Sequence, residues 1–206
     1  MKVIIGGMGL SGSTLCYNIF RIISERRGYK TPQKIHEWNH AALKGKTIFM
    51  VRDLRDTVAS MLRKDPEHWN GDVRKATMYQ MMWYYDTWKG KDKNFIWKYE
   101  DYKANPYEYA KAACDAIGIP ITIEEITEIV DEAENIKNLN IPSHQNALTT
   151  KEEVNLWWST KLSKRHITND GKIGGYRDVL SDDDVKFIET KYRYFFEQQN
   201  YSLEYE

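Results

Sequence analysis

Cysteine is scarce: Cys16 and Cys114 are the only two among 206 residues. That excludes a disulfide framework and any cysteine-built metal cluster, and both thiols read as small buried hydrophobes in a reducing setting. Net charge is missing as well, because 30 Lys and Arg balance 30 Asp and Glu. A general binder of nucleic acid carries a basic excess that this chain does not have. No apolar run approaches the roughly 18 residues that a membrane span needs, and no leader is legible ahead of the first apolar run. These absences predict a cytoplasmic protein, with neither nucleic acid nor membrane among its partners. The length suits one domain with a sizeable core over residues 1–206.

The balanced charge is unevenly distributed. Residues 1–64 hold 12 Lys and Arg against 4 Asp and Glu, so the first third is strongly basic and the remainder equally acidic. Such a patch suits a small anion rather than an extended one. Aromatic residues are abundant, with 7 Trp and 14 Tyr, which implies either a heavy core or an aromatic-lined pocket.

Along the chain, Met1–Ile5 is an apolar run that ends at Gly6-Gly7, and the helix after it repeats Leu15, Ile19, Ile22 and Ile23 on one face up to Gly28. Thr47–Val51 is a second buried strand, followed by a helix over about Arg55–Arg63. An aromatic helix follows over 72–89, then a third strand at Asn94–Trp97. Asn105-Pro106 opens a helix that runs to Gly118, and Glu124–Asn135 is acidic and amphipathic. Residues 137–181 read mostly as loop around Trp157-Trp158, and Ser181 caps a last helix through about Gln198. Alternating strands and helices predict an α/β fold, with three α/β/α layers about a parallel sheet and a nucleotide-binding core like that of P-loop proteins. Ligands in such sheets lie beyond the strand carboxyl ends. Three stretches follow strands directly: 6–14, 52–60 and 98–102.

The first of these reads Gly6-Gly7-Met8-Gly9-Leu10-Ser11-Gly12-Ser13-Thr14. Gly7, Gly9 and Gly12 match G-x-G-x-x-G, and Gly7–Thr14 matches G-x-x-x-x-G-K-[ST] except that Ser13 replaces the lysine. Both patterns rest on glycines that let backbone amides at a helix start approach a phosphate. A nicotinamide site wants an acidic residue at the end of a second strand about 20 positions on, where Glu25 instead lies at a helix end among arginines. A nucleoside triphosphatase wants a lysine that Ser13 cannot supply. What remains is a loop that cradles phosphate through its backbone and the hydroxyls of Ser11, Ser13 and Thr14, with no metal.

With these motifs in view, the chain resembles the sulfotransferases that use 3′-phosphoadenosine 5′-phosphosulfate (PAPS). Their 5′-phosphosulfate loop, K-[ST]-G-[ST]-T, is matched by Leu10-Ser11-Gly12-Ser13-Thr14. Their 3′-phosphate motif, an Arg at a strand end with a Ser eight residues later, is matched by Arg52 and Ser60. Their Y-E-D stands here as Tyr99-Glu100-Asp101, and their G-x-x-G flap as Gly171-Lys172-Ile173-Gly174, leading to Arg177. The resemblance implies PAPS as co-substrate. Gly9, Ser11, Gly12, Ser13 and Thr14 would lie at the 5′-phosphosulfate, Arg52 and Ser60 at the 3′-phosphate, and Tyr99 by the adenine. Gly171, Lys172, Gly174 and Arg177 would form a covering flap.

The resemblance also implies in-line transfer of a sulfuryl group to a hydroxyl or amine on a small molecule or glycan, without a metal. Lys34-Ile35-His36 matches the family's Lys-x-His. His36 is then the base and Lys34 the residue that neutralises charge on the sulfuryl group or bridging oxygen; Glu37 and His40 compete as bases. Two departures stand out. Leu10 occupies the position of the family's loop Lys or Arg, and Asn169-Asp170 the position of the Arg-Lys pair before the flap. Compensation at the loop falls to Lys34, Lys172 or another residue. A P-loop kinase and a non-catalytic nucleotide binder are the alternatives. The Met- and aromatic-rich stretch from Trp69 to Trp88 is either core or the wall of an acceptor pocket.

Overall fold

A computed structural model describes residues 1–35, 45–88, 93–136 and 171–205. His36, Glu37, His40 and the Trp157-Trp158 stretch lie outside the described residues. Strand β1 (Val3–Gly7) leads to helix α1 (Ser13–Arg27), followed by β2 (Gln33–Ile35) and β3 (Lys46–Val51). Helices α2 (Leu54–Lys64), α3 (Pro66–Trp69) and α4 (Val73–Trp88) precede β4 (Phe95–Lys98). Helices α5 (Tyr99–Ala104), α6 (Pro106–Ile117) and α7 (Ile123–Asn135) come next. A 3₁₀ turn at Gly175–Asp178 then leads to α8 (Asp182–Lys191) and α9 (Arg193–Gln198). Among the described residues, no helix is long and apolar enough to cross a membrane.

The four strands form one parallel sheet in the order β2-β1-β3-β4. Their side chains alternate between two cores, as a sheet covered on both faces requires. Ile5, Ile48, Met50 and Trp97 pack with α1, α6 and α7, whereas Phe49 and Val51 pack with α2, α4, α8 and α9. The α/β architecture expected from the sequence is therefore present, with one strand more than the apolar runs indicate. That strand is β2, only three residues long and on the sheet edge, with Gln33 exposed and Lys34 and Ile35 half-buried. The expected last helix is two helices, interrupted at Tyr192 where φ is −124°. Tyr99 starts α5 immediately after β4.

Because all four strands run parallel, they end on the same edge. That edge gathers the glycine loop after β1, Lys34 near the end of β2, Arg52 after β3 and Tyr99 after β4.

Candidate functional site

The site begins with the way α1 starts. Gly12 is its N-cap, left-handed at φ 82°, and no side chain caps the helix. A Cβ on Gly12 would stand 2.7 Å from the Tyr99 ring, so glycine serves both the turn and the close approach. Ser11 does not cap the helix either; its hydroxyl, fully buried, donates to Met8 O at 2.6 Å. No acid lies in the first turn. The helix thus presents uncapped amides and the positive end of its dipole toward the space beside the loop, the arrangement that binds phosphate. Ser13 is buried, and Thr14 Oγ1 accepts a hydrogen bond from Lys34 Nζ at 2.7 Å.

Arg52 forms the opposite wall. It is buried, and its guanidinium lies over the Tyr99 ring, 4.4 Å from the centroid. Nη1 donates to Leu10 O at 3.3 Å and Nη2 to Lys172 O at 3.0 Å, so Arg52 ties the phosphate loop to the flap. Its Nε is buried without a partner. Gln80 Oε1 is the other buried side-chain atom without a partner among the described residues. It too lies against the loop, 3.5 Å from where a Cβ on Gly9 would be, beside Trp83, whose ring covers Gly9. Unpaired buried polar groups are rare in native proteins and call for a specific reason. Ser60 lies on α2, 9% exposed, two turns beyond Arg52.

The 171–176 segment is tied down on two sides. Tyr99 Oη donates to Gly171 O at 3.0 Å, and a Cβ on left-handed Gly171 would stand 1.9 Å from that oxygen. Burial, partly countered by Arg52, raises the Tyr99 hydroxyl above its ordinary pKa. On the other side Asp56, buried on α2, accepts from Gly174 N at 2.9 Å and Tyr176 N at 3.0 Å, and Arg63 donates to Gly175 O. Desolvation raises the Asp56 carboxyl, against the lowering effect of Arg52 and the two amides.

The structure therefore brings the loop glycines, Ser11, Ser13, Thr14, Lys34, Arg52, Tyr99 and the flap backbone to one edge of the sheet, with Ser60 two turns along α2. It pairs the two flap cations with acids: Lys172 with Asp178 at 2.9 Å, and Arg177, mostly exposed, with Glu204 at 2.7 Å. His36 lies outside the described residues. Asp56 and Gln80 were not anticipated. Asp56 was visible as the acid four residues after Arg52, but its partners lie more than a hundred residues away. Nothing in the local pattern marks Gln80. The aromatic stretch divides: Trp69, Met81 and Tyr84 are core, Trp83 meets the loop, and Met78 and Met82 are exposed.

Comparison with known proteins bears on what this edge belongs to. Among curated protein sequences the chain finds no match. Among solved structures it is similar to mouse sulfotransferase SULT7A1 complexed with PAP, with a TM-score of 0.64 and 14% sequence identity. The alignment covers 97% of this chain and 85% of that one, a likeness of fold. The model of the sulfotransferase domain matches residues 24–201, which include Arg52, Ser60, Tyr99 and the flap while the glycine loop precedes them. By that match over most of its length, the chain belongs to the sulfotransferase-domain family.

Proposed function

We propose that this protein transfers a sulfuryl group from PAPS to a hydroxyl or amine acceptor by in-line displacement. The observation that carries the reading is the pair of features on either side of the loop. An uncapped helix start faces the ligand space, and the guanidinium of Arg52 holds an unpartnered, buried Nε. A ligand with one phosphate at each place accounts for both, and PAPS has that form. The residues present fit it: hydroxyls and amides at 11–14 for the 5′-phosphate, Arg52 and Ser60 for the 3′-phosphate, and the Tyr99 region for the base.

PAPS supplies a sulfuryl group joined to a good phosphate leaving group. The chain's residues position it and stabilise charge. Lys34 sits where it neutralises the oxygen that keeps the electron pair when the S–O bond breaks. His36 takes the proton from the acceptor hydroxyl as its oxygen bonds to sulfur. Arg177 and Lys172 add charge at the 3′-phosphate only by exchanging Glu204 and Asp178 for it; otherwise the flap contributes backbone.

Calorimetric titration with 3′-phosphoadenosine 5′-phosphate (PAP), ADP and NAD tests the reading. Micromolar affinity for PAP, with ADP and NAD weaker by about tenfold or more, is the expected result. Tight ADP binding without PAP binding would favour a kinase and overturn it.

A further inference from the structure

The phosphate loop has no cation of its own. Residues 6–14 contain neither Lys nor Arg, and Ser13 stands where phosphate loops of the Walker type place their lysine. Leu10 cannot take over that function. Its side chain packs against the core between the sheet and α2/α4, its backbone is left-handed at φ 57°, and its carbonyl is held by Arg52. Arg52 approaches the loop too, but both of its terminal nitrogens point at carbonyls.

A cation reaches the loop from the neighbouring strand. Parallel pairing of β1 and β2 sets Lys34 beside Ile5 and Ile35 beside Gly6, so both strands deliver their last residues to the same edge. From there Lys34 Nζ extends to Thr14 Oγ1, 2.7 Å away, in the first turn of α1. A positive charge at a helix N-terminus opposes the helix dipole, and this first turn contains no acid to offset it. An anion seated between this ammonium and the helix amides is attracted by both.

We infer that Lys34 is the cation of this phosphate loop, supplied by the adjacent strand in place of a lysine within the loop. It holds the 5′-phosphate of the bound nucleotide in the ground state, beyond any charge it stabilises during transfer. This rests on the PAPS reading, and the experiment separates the two. PAP, which has no sulfuryl group, and adenosine 3′-phosphate, which has no 5′-phosphate, are titrated calorimetrically into wild type, Lys34→Met and Lys34→Arg. Lys34→Met is expected to lose about tenfold or more in PAP affinity while adenosine 3′-phosphate stays within about twofold. Lys34→Arg is expected to keep much of the affinity by keeping the charge on β2. Unchanged PAP affinity in Lys34→Met overturns the inference while wild-type PAP binding leaves the PAPS reading standing. So do equal losses for both ligands, or a Lys34→Arg variant no better than Lys34→Met. If wild type binds neither ligand, both readings fall.

Discussion

The guanidinium of Arg52 directs Nη1 and Nη2 at carbonyls from two separate segments and leaves Nε unpaired in a buried position. The geometry has a specific consequence for substitution. Arg52→Lys keeps the charge but loses the planar fork, so donors on a single nitrogen replace three spread over Nη1, Nη2 and Nε and cannot reach both carbonyls and the Nε position at once. Arg52→Ala is expected to weaken PAP binding by about 1.5–3 kcal/mol, the range for hydrogen bonds to charged groups. Adenosine 5′-phosphosulfate, which lacks the 3′-phosphate, should lose distinctly less, and Arg52→Lys should behave more like alanine than like wild type. Equal losses for both ligands in a calorimetric comparison would take Arg52 away from the 3′-phosphate. At this scale the sequence was partly informative: Arg52 stands directly after a buried apolar run, and the resemblance pairs it with Ser60. What could not be read was the state of one nitrogen atom, because it depends on carbonyls 42 and 120 residues away.

Among the elements, those with strong local periodicity were the legible ones. β1 and β3 are apolar runs because both faces of the sheet are covered there, β4 at the edge buries Trp97 but exposes Ile96, and α1, α6 and α7 show their buried stripes plainly. β2 escaped because an edge strand three residues long, with a lysine in the middle, has no pattern that distinguishes it from loop. Yet it is β2 that brings Lys34 to the phosphate loop. The flap was recognisable by its glycines, whereas its attachment to α2 was not. Asp56 makes that attachment, and its raised pKa gives it a pH signature. Because the folded protein holds the Asp56 proton more tightly than the unfolded chain, this group's contribution to stability falls as pH rises from the ordinary aspartate value of 3.8. Asp56→Asn does not titrate. The melting temperature of wild type relative to Asp56→Asn should therefore decline between pH 4 and neutrality, as read by thermal melts. A difference that grows over this interval would show that the two flap amides and Arg52 outweigh desolvation at Asp56.

On the scale of the whole molecule, residues 199–205 join parts that the sheet does not. Lys98 Nζ donates to Gln199 O at 2.9 Å and lies over the Tyr201 ring, and Tyr201 Oη donates to Glu100 at 2.7 Å. Glu204 receives Arg177 and Tyr176 from the flap. Beneath them Glu189, fully buried on α8, accepts the amides of Glu204 and Tyr205 at 2.9 Å each and pairs with Arg55. Arg55 in turn holds Asp53 Oδ2 at 2.6 Å and Ser202 O at 3.1 Å. Asp53 caps α2, whose first turn carries Asp56, so one buried ion cluster supports both α2 and the flap. Such a cluster is weak evidence of net stabilisation, but removing Glu189 takes the acceptor from the Glu204 and Tyr205 amides and one acid from buried Arg55, which keeps Asp53. Glu189→Ala should therefore destabilise the protein by about 3–5 kcal/mol. In a chain of this size that is a fall in melting temperature on the order of 10 °C. Glu189→Gln, which keeps an acceptor for the strap amides, should fall between alanine and wild type. Among the described residues, Glu189 bonds Arg55 and the amides of Glu204 and Tyr205, and neither the loop nor Arg52. Well below the melting transition, PAP affinity in Glu189→Ala should therefore stay within about threefold of wild type, while Arg52→Ala loses more at the same temperature. A loss of affinity as large as that of Arg52→Ala, in a variant still folded at the temperature of titration, would make the cluster part of the binding site and not only its support.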